Sequence, residues 1–308
     1  MNMLSEKIRN RASKLLHRNE NEWLGGTRTQ KIAKFINRLT DGADQRRREK
    51  AFVGGSPKAE AAVHALNETG YHIDPNLDTS EVVKVAKALV ASRQDLIDEG
   101  RETKPFLINV YKPGQDNFQH RLLVDFALQS NVLDVASEYC KFVPLLTAVK
   151  VLVSLPPPGG MAQARSSQLF HLDNADLPFQ HCKLFINVDD VSPKNGPFTF
   201  LSAPDSDKIS AAINYGQRGI DYRVKDEVVE QLIGTDRSIA ISGPAGRSVF
   251  IDTSRCFHLG SRVEEQRRVV IMYQFTSACQ ARLHKPVSFA RFWRDGMSST
   301  QKMALGKQ

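Results

Sequence analysis

A histidine and an aspartate stand two residues apart in the stretch Ser-Gln-Leu-Phe-His-Leu-Asp, as His171 and Asp173. On a β-strand, side chains two residues apart point to the same face, so both could reach one metal ion. An imidazole nitrogen and a carboxylate oxygen form a ligand pair suited to Fe(II). The pattern is weak by itself, because it occurs by chance in many chains and then marks the polar residues of a surface turn.

A second histidine, His258, ends the strand-like run 248–258 and can complete the ligand set. Two histidines and one carboxylate fill three positions around iron and leave three open, the arrangement of oxygen-activating iron enzymes. The open positions can take O2 and a bidentate keto acid. The remote carboxylate of that keto acid then needs a buried cation, ideally an arginine that binds it through two N–H groups.

Two adjacent arginines, Arg267 and Arg268, begin the next strand-like run. Neighbouring residues on a strand point to opposite faces, so one of them would point into the pocket and the other away from it. Alternation does not decide which, because the residues that follow are apolar on both faces. His181, eight residues beyond Asp173, and the remaining histidines have no partner at ligand spacing and are not predicted to bind metal.

These residues and three further motifs resemble the phytanoyl-CoA dioxygenase family over residues 61–277. His171 and His258 are 87 residues apart, and Arg268 follows 10 residues later, a spacing that fits the family. Residues 66–71 also resemble the helix and glycine-aromatic turn that open the family's domain. The matching positions are the His171-x-Asp173 pair, the Asn195-Gly196 turn, the strand that ends at Asp252, His258 and Arg268.

The resemblance implies a mainly β fold with flanking helices, built on a double-stranded β-helix core (a cupin-like jelly roll). It implies that a triad of His171, Asp173 and His258 holds Fe(II), with 2-oxoglutarate and O2 as co-substrates, and that Arg268 binds 2-oxoglutarate. Four further side chains are candidates for the pocket. They are Phe185 and Asn187 beside the cofactor and Arg262 and Lys183 beside the substrate, with core packing of Phe185 and a solvated turn at Arg262 as alternatives.

The implied reaction is hydroxylation of an unactivated C–H bond with release of succinate and CO2. Asp173 stands where related halogenases carry Ala or Gly, which favours hydroxylation or another C–H oxidation over halogenation. The substrate is expected to be a small molecule, anionic or linked to CoA or a carrier. Two alternatives stay open: the same iron site catalysing desaturation, cyclisation or epimerisation in natural-product biosynthesis, or a non-catalytic jelly-roll binding protein. Where the family often continues into Pro-Gly-Ser-His, this chain reads Leu-Ser-Ala-Pro-Asp at 201–205, which leaves the substrate-side loop in doubt.

The elements that must position these residues divide into a helical first half and a strand-rich second half. Helical spacing of apolar residues predicts helices near 4–16 and over 31–39, 56–70, 80–97 and 120–142, with Ser56 as N-cap and Gly70 just past the end of its helix. Residues 42–55 are predicted to be a linker or an exposed turn. Residues 203–236 are predicted to be a long insertion, either a lid or a surface excursion. Short β-branched or aromatic runs predict strands at 106–111, 149–155, 169–172, 183–188, 197–201, 238–241, 248–251 and 267–275.

Composition sets the remaining expectations. The chain has 308 residues, and 1–50 carry 13 Lys plus Arg and 6 Asp plus Glu, so most of the net charge of +8 lies in this segment. We predict a basic helical N-terminal extension (1–55) that could contact an anionic surface, a dioxygenase domain (56–285) with its jelly-roll core at about 147–277, and a C-terminal tail (286–308). Sparse aromatic residues in the basic segment argue against a nucleic-acid partner. The four cysteines form no CxxC pair and no apolar run is long enough for a membrane span, which predicts a cytoplasmic protein.

Overall fold

The computed structural model describes residues 27–103, 106–112, 118–156, 164, 166–173, 180–216, 220, 222–260, 262–279 and 288–306. The helices are α1 (Thr27–Ala51), α2 (Glu60–Thr69), α3 (Ser80–Ala91), α4 (Gln94–Thr103), α5 (Phe118–Ala127), α6 (Ser130–Cys140), α7 (Ala203–Ala212), α8 (Asp226–Ile233) and α9 (Ser299–Leu305). The strands are β1 (Tyr71–Asp74), β2 (Ile108–Asn109), β3 (Leu145–Ser154), β4 (Cys182–Asn187), β5 (Thr199–Phe200), β6 (Ile239–Ala240), β7 (Ser248–Ile251), β8 (His258–Leu259) and β9 (Arg268–Thr276).

The larger sheet has six antiparallel strands in the order β1-β7-β4-β9-β3-β2. Alternation along β4 separates its two faces. Cys182, Leu184 and Ile186 join the main hydrophobic core, to which helices α2, α3, α5 and α6 also contribute. The other face of the same strand carries Lys183 and Phe185, and it is turned toward the smaller sheet.

The smaller sheet has the order β6-β5-β8, and two isolated bridges extend it. Phe170 pairs with Val224, and His171 pairs with His258 at the start of β8. Phe198 and Phe200 pack from this sheet against β7, and the Phe198 ring stacks on Phe185 of the larger sheet at a centroid distance of 4.2 Å. Two antiparallel sheets facing each other, with helices on the outside, confirm the predicted double-stranded β-helix with flanking helices.

The insertion at 203–236 contributes α7 and α8 to the outer face of the smaller sheet. Ile209 of α7 and Val229 of α8 are buried there against the outward-facing Phe170, Phe257 and Leu259. Helices α7 and α8 therefore cover the face of the smaller sheet that is turned away from the triad, as a surface excursion would, and do not lie over the triad as a lid.

Several predicted boundaries are wrong. The linker over 42–55 is wrong because α1 continues to Ala51. Ser56 is not an N-cap; its Oγ donates to Asp134 and its N–H to Glu138, and α2 begins after a further turn. The single helix over 80–97 is two helices, because Ser92 donates to the carbonyl of Leu89 and ends the first. The segment 169–172 forms only bridges, and the predicted helix near 4–16 lies outside the described residues.

The two ends of the described chain pack together on the domain. Arg48 near the end of α1 is fully buried, and its Nη1 donates to the carbonyls of Val143 and Met303 at 3.2 and 2.9 Å. The Trp293 indole donates to the carbonyl of Lys302 at 3.0 Å, which holds α9 in place. No helix among these residues is long and apolar enough to cross a membrane.

Candidate metal centre

The structure brings the predicted triad of His171, Asp173 and His258 together. Two backbone hydrogen bonds join the histidines, from the N–H of His171 to the carbonyl of His258 at 3.1 Å and in the reverse direction at 3.0 Å. Their ring centroids are 4.3 Å apart. One ligand atom from each of the three residues lies within 4.8 Å of the others. Residues paired directly across two strands point to the same face, so strand pairing is what aims both imidazoles at one point.

Each imidazole is oriented by a backbone carbonyl two residues earlier in the chain. Nδ1 of His171 lies 2.9 Å from the carbonyl of Leu169, and Nδ1 of His258 lies 3.1 Å from that of Cys256. A carbonyl only accepts, so Nδ1 carries the proton and Nε2 keeps its lone pair for a metal. Burial, followed by the nearby Arg223, lowers the pKa of His171 to about 4, and burial holds the pKa of His258 well below its ordinary value. Both rings are therefore neutral ligands at physiological pH.

The Asp173 carboxylate receives two side-chain hydrogen bonds on one oxygen. Nζ of Lys183 and Oγ1 of Thr253 each lie 2.5 Å from Oδ2. Burial alone would raise the pKa of Asp173, but the charge of Lys183 holds it well below its ordinary value. The third ligand is therefore anionic, as a divalent metal requires.

Thr253 belongs to a chain of buried polar groups that the sequence reasoning missed. Its Oγ1 lies 3.0 Å from Nε2 of His181, and the same nitrogen lies 3.4 Å from Oδ1 of Asp252. Tyr139 of α6 donates to the other Asp252 oxygen at 2.8 Å. The sequence offered only one indication of this polar chain, since Asp252 ends a strand motif that matches the family. His181 and Tyr139 come close to the site only through the tertiary fold.

The structure separates the two adjacent arginines. Arg268 pairs with Ser154 across β3 and is 4% exposed, on the face that also carries Val270 and Met272. Its neighbour Arg267 is 51% exposed and lies 3.9 Å from Asp189. Burial lowers the pKa of Arg268 to about 10. The inward cation is thus the arginine that the family resemblance favours.

Gly260 gives the inward arginine a close backbone neighbour. A Cβ built on this glycine would lie 3.5 Å from Nη2 of Arg268 and 3.9 Å from the Phe198 ring. The glycine follows β8 directly, and its N–H donates to the carbonyl of Ser167 at 3.1 Å. The guanidinium therefore lies beside the strand that carries His258.

The remaining predicted pocket residues fall into two groups. Lys183, Phe185 and Asn187 alternate along β4 on its inward face, and the Asn187 amide donates to the carbonyl of Ile241 at 3.1 Å. Arg262 is not brought to the triad. It binds Asp226 of α8 through two N–H groups at 2.5 and 2.7 Å, beside a cavity of about 320 Å³.

A further cation was missed at the sequence level. The Phe170–Val224 bridge is antiparallel, which places Arg223 opposite His171 in the register. Paired residues share a face, so Arg223 is on the triad side of the sheet. Its guanidinium also lies 4.6 Å from the centre of the Tyr222 ring. Nothing in the local sequence distinguishes it from an ordinary surface arginine.

Comparison with known proteins identifies the fold. No family model matches the sequence, and no curated protein matches it. The crystal structure of EctD from S. alaskensis with 2-oxoglutarate and 5-hydroxyectoine is similar over 82% of this chain and 89% of that chain, with 14% identity and a TM-score of 0.51. Its apo form is similar over 77% and 82%, with 13% identity and a TM-score of 0.50. EvdMO1 is similar over 71% of this chain and 50% of that chain, with 15% identity and a TM-score of 0.47, so this chain spans half its length. At these identities the EctD structures show a shared fold, in agreement with the jelly roll described above.

Proposed function

We propose that this protein is an Fe(II)- and 2-oxoglutarate-dependent dioxygenase, similar to the phytanoyl-CoA dioxygenase family, that hydroxylates a C–H bond of a small-molecule substrate. The observation that carries the proposal is the converged triad of two neutral imidazoles and one carboxylate. A buried inward arginine on the facing sheet adds to it. The fold shared with EctD, whose crystal structure contains 2-oxoglutarate, is consistent with this chemistry.

The donor set fits Fe(II). Two neutral nitrogens and one carboxylate oxygen on one side of a metal are the facial triad of non-haem iron oxygenases. Magnesium favours all-oxygen sets, and the buried inward Arg268, which suits a keto-acid co-substrate, favours iron over a hydrolytic zinc site. His171 and His258 would bind the metal through Nε2, because Nδ1 of each faces a backbone carbonyl. Iron, when bound with 2-oxoglutarate and O2, supplies the oxidation that breaks the C–H bond. One oxygen atom of O2 then enters succinate, the other enters the product hydroxyl, and CO2 is released.

The protein binds and orients the co-substrate through Arg268. Its guanidinium matches a carboxylate in shape and can bind it with two N–H groups. Phe185 and Phe198 stack beside this region and provide an apolar wall that excludes water. Lys183 is paired with Asp173, so Arg223 is the cation that adds positive charge on the triad side of the sheet. We therefore propose a substrate with an anionic group such as a carboxylate or phosphate, its own or that of a linked carrier, which would meet complementary charge there.

An anaerobic titration of the metal-free protein with Fe(II) and 2-oxoglutarate tests the proposal. A visible charge-transfer band should appear on addition of the keto acid, vanish in His171→Ala and require far more keto acid in Arg268→Ala. His64→Ala and Arg267→Ala are matched controls, since both residues are exposed and distant in role from the triad. A folded wild-type protein that binds metal without the band would contradict the proposal and favour a binding protein instead.

Activity then requires a substrate screen that follows succinate release. Product analysis separates hydroxylation from desaturation, cyclisation and epimerisation, because each fate of the substrate leaves a different mass or stereochemistry. A product heavier than the substrate by one oxygen atom is the expected result.

A further inference from the structure

The strongest unexplained feature is the buried polar chain behind Asp173. It runs from Tyr139 through Asp252, His181 and Thr253 to the triad carboxylate. The exposed fractions of these four residues are 0% for Tyr139, Asp252 and Thr253 and 1% for His181. Burying polar groups in a core is costly unless they are hydrogen-bonded. Four buried polar side chains in a row that end at Asp173 therefore indicate a function for the contact with this carboxylate.

The direction of each hydrogen bond follows from the groups involved. A metal-binding carboxylate can only accept, so the single Thr253 hydroxyl proton points to Oδ2 of Asp173. The Thr253 oxygen then accepts from His181, which requires the proton on Nε2. The same N–H faces Oδ1 of Asp252 at 3.4 Å. The hydrogen bonds therefore run in one direction from His181 through Thr253 to Asp173, and Asp252 accepts from both His181 and Tyr139.

Asp252 anchors the chain to the rest of the fold. Its Oδ1 accepts from the N–H and the hydroxyl of Ser254 at 2.9 and 2.6 Å, and its Oδ2 accepts from Tyr139. Its own N–H donates to the carbonyl of Gly70 at the end of α2. Hydrogen bonds through Asp252 therefore join helices α2 and α6 to the polar chain behind the triad.

Thr253 makes two hydrogen bonds with Asp173. Its backbone carbonyl accepts from the Asp173 N–H at 2.9 Å while its hydroxyl donates to the carboxylate. A β-branched side chain has few χ1 rotamers, so this hydroxyl is held in one direction. Lys183 contacts the same oxygen, but an ammonium on a flexible stem balances charge without setting an orientation.

We propose that Thr253 and His181 are positioning residues that fix the orientation of the Asp173 carboxylate for metal binding. This inference rests on the proposed function, since it assigns Asp173 as a metal ligand. Outer partners of ligating groups typically change metal affinity about 10- to 100-fold when removed. His181 acts through Thr253, so the two effects should not add.

Metal affinity of the full-length protein tests the proposal without any substrate. Co(II) is the probe under anaerobic conditions, because its visible absorption bands report both binding and coordination geometry. Thr253→Val, which removes the hydroxyl and keeps the shape, should weaken binding about 10- to 100-fold and alter the bands. Thr253→Ser should restore both. Thr276→Val is the control, because Thr276 is equally buried but bonds to Thr147 and Ser277 instead.

Coupling and folding controls make each outcome decisive. His181→Leu should weaken binding less than Thr253→Val, and the double variant should bind no more weakly than Thr253→Val alone. If Thr253→Val does not fold, the comparison of His181→Leu with His181→Gln, which keeps an N–H donor, decides the question. Wild-type affinity in Thr253→Val, or an equal loss in Thr276→Val, would overturn the positioning role. Absence of Co(II) binding by the wild type would instead overturn the proposed function.

Discussion

Replacing Arg268 by methionine should move the stability of the protein and its affinity for 2-oxoglutarate in opposite directions. Arg268 is 4% exposed, and burial lowers its pKa from 12.5 to about 10. A base whose pKa is lower in the folded than in the unfolded state costs the folded state free energy while both states are protonated. For Arg268 that cost is fully present below about pH 10 and shrinks only as the pH rises from about 10 toward 12.5. At about 1.4 kcal/mol per pKa unit, the cost at neutral pH is roughly 3 kcal/mol.

Methionine should remove most of that cost. It is unbranched, apolar and flexible enough to fill the space of the arginine stem beside Val270 and Met272. We expect Arg268→Met to raise the free energy of unfolding of the ligand-free protein by about 1–3 kcal/mol, which is most of the roughly 3 kcal/mol that burying the charge costs. At about 2–4 °C per kcal/mol, the midpoint of thermal unfolding should rise by several degrees.

The affinity for 2-oxoglutarate should fall in the same variant. Truncating one partner of a buried, hydrogen-bonded charge pair costs about 2–5 kcal/mol of binding free energy. At about 1.4 kcal/mol per tenfold change, this is a loss of roughly 30- to 5,000-fold. The ligand should therefore stabilise the wild type against heat and leave Arg268→Met unchanged at the same concentration.

Thermal unfolding with Fe(II), with and without 2-oxoglutarate, measures both effects under anaerobic conditions. Arg267→Met is the matched control, because its side chain is 51% exposed and lies 3.9 Å from Asp189. It should match the wild type within about 0.5 kcal/mol. An Arg268→Met protein that unfolds earlier than the wild type and still binds 2-oxoglutarate normally would refute the reasoning.

Three further predictions concern stability. Gly196→Ala should destabilise the protein far more than Gly234→Ala, as measured by denaturant unfolding of the two variants. Both glycines have a positive φ, at 63° and 92°, but a Cβ at Gly196 would lie 2.4 Å from the backbone of Arg262, whereas a Cβ at Gly234 would meet open space. Asp205→Asn should lower the free energy of unfolding by about 1–3 kcal/mol above pH 4. Burial opposes ionisation of Asp205, but hydrogen bonds from Lys208, Arg237 and Ser202 outweigh it and lower its pKa, so an acid titration of stability should show the difference from wild type shrinking below pH 4. Arg48→Met should remove the side-chain donor from the carbonyl of Val143 and one of two donors from that of Met303, which keeps the N–H of Gly306, and should cost about 1–3 kcal/mol. Proteolysis within α1 should become faster, and cleavage unchanged from the wild type would contradict that anchoring role.

Local signals were enough where a structural feature depends on a few neighbouring residues. Gly70 was predicted to follow the end of a helix, and it does so with a φ of 83° and its N–H donating to the carbonyl of Leu66. Only a residue that tolerates a left-handed backbone fits there without strain. The long apolar run 267–275 likewise predicted a strand, which is the nine-residue β9.

Elements were misjudged where local pattern carries little information. Strand β1 was missed because its apolar and polar residues alternate over only four positions, the shortest run in which alternation indicates a strand. It forms only because it can pair with β7 along the edge of the larger sheet. The linker predicted before residue 56 was wrong because its arginine triplet looked solvated, whereas Arg48 is buried against two carbonyls from distant segments.

The sequence by itself determined the ligand types and the alternation that aims them, because His171 and Asp173 lie within one short segment and strand geometry has a period of two. Tertiary structure decided which arginine points inward and what holds the triad in place. Thr253 is 80 residues from Asp173, and Tyr139 is 113 residues from Asp252. Contacts across such separations exist only once the strands have paired and the helices have packed on them, so no local pattern can encode them.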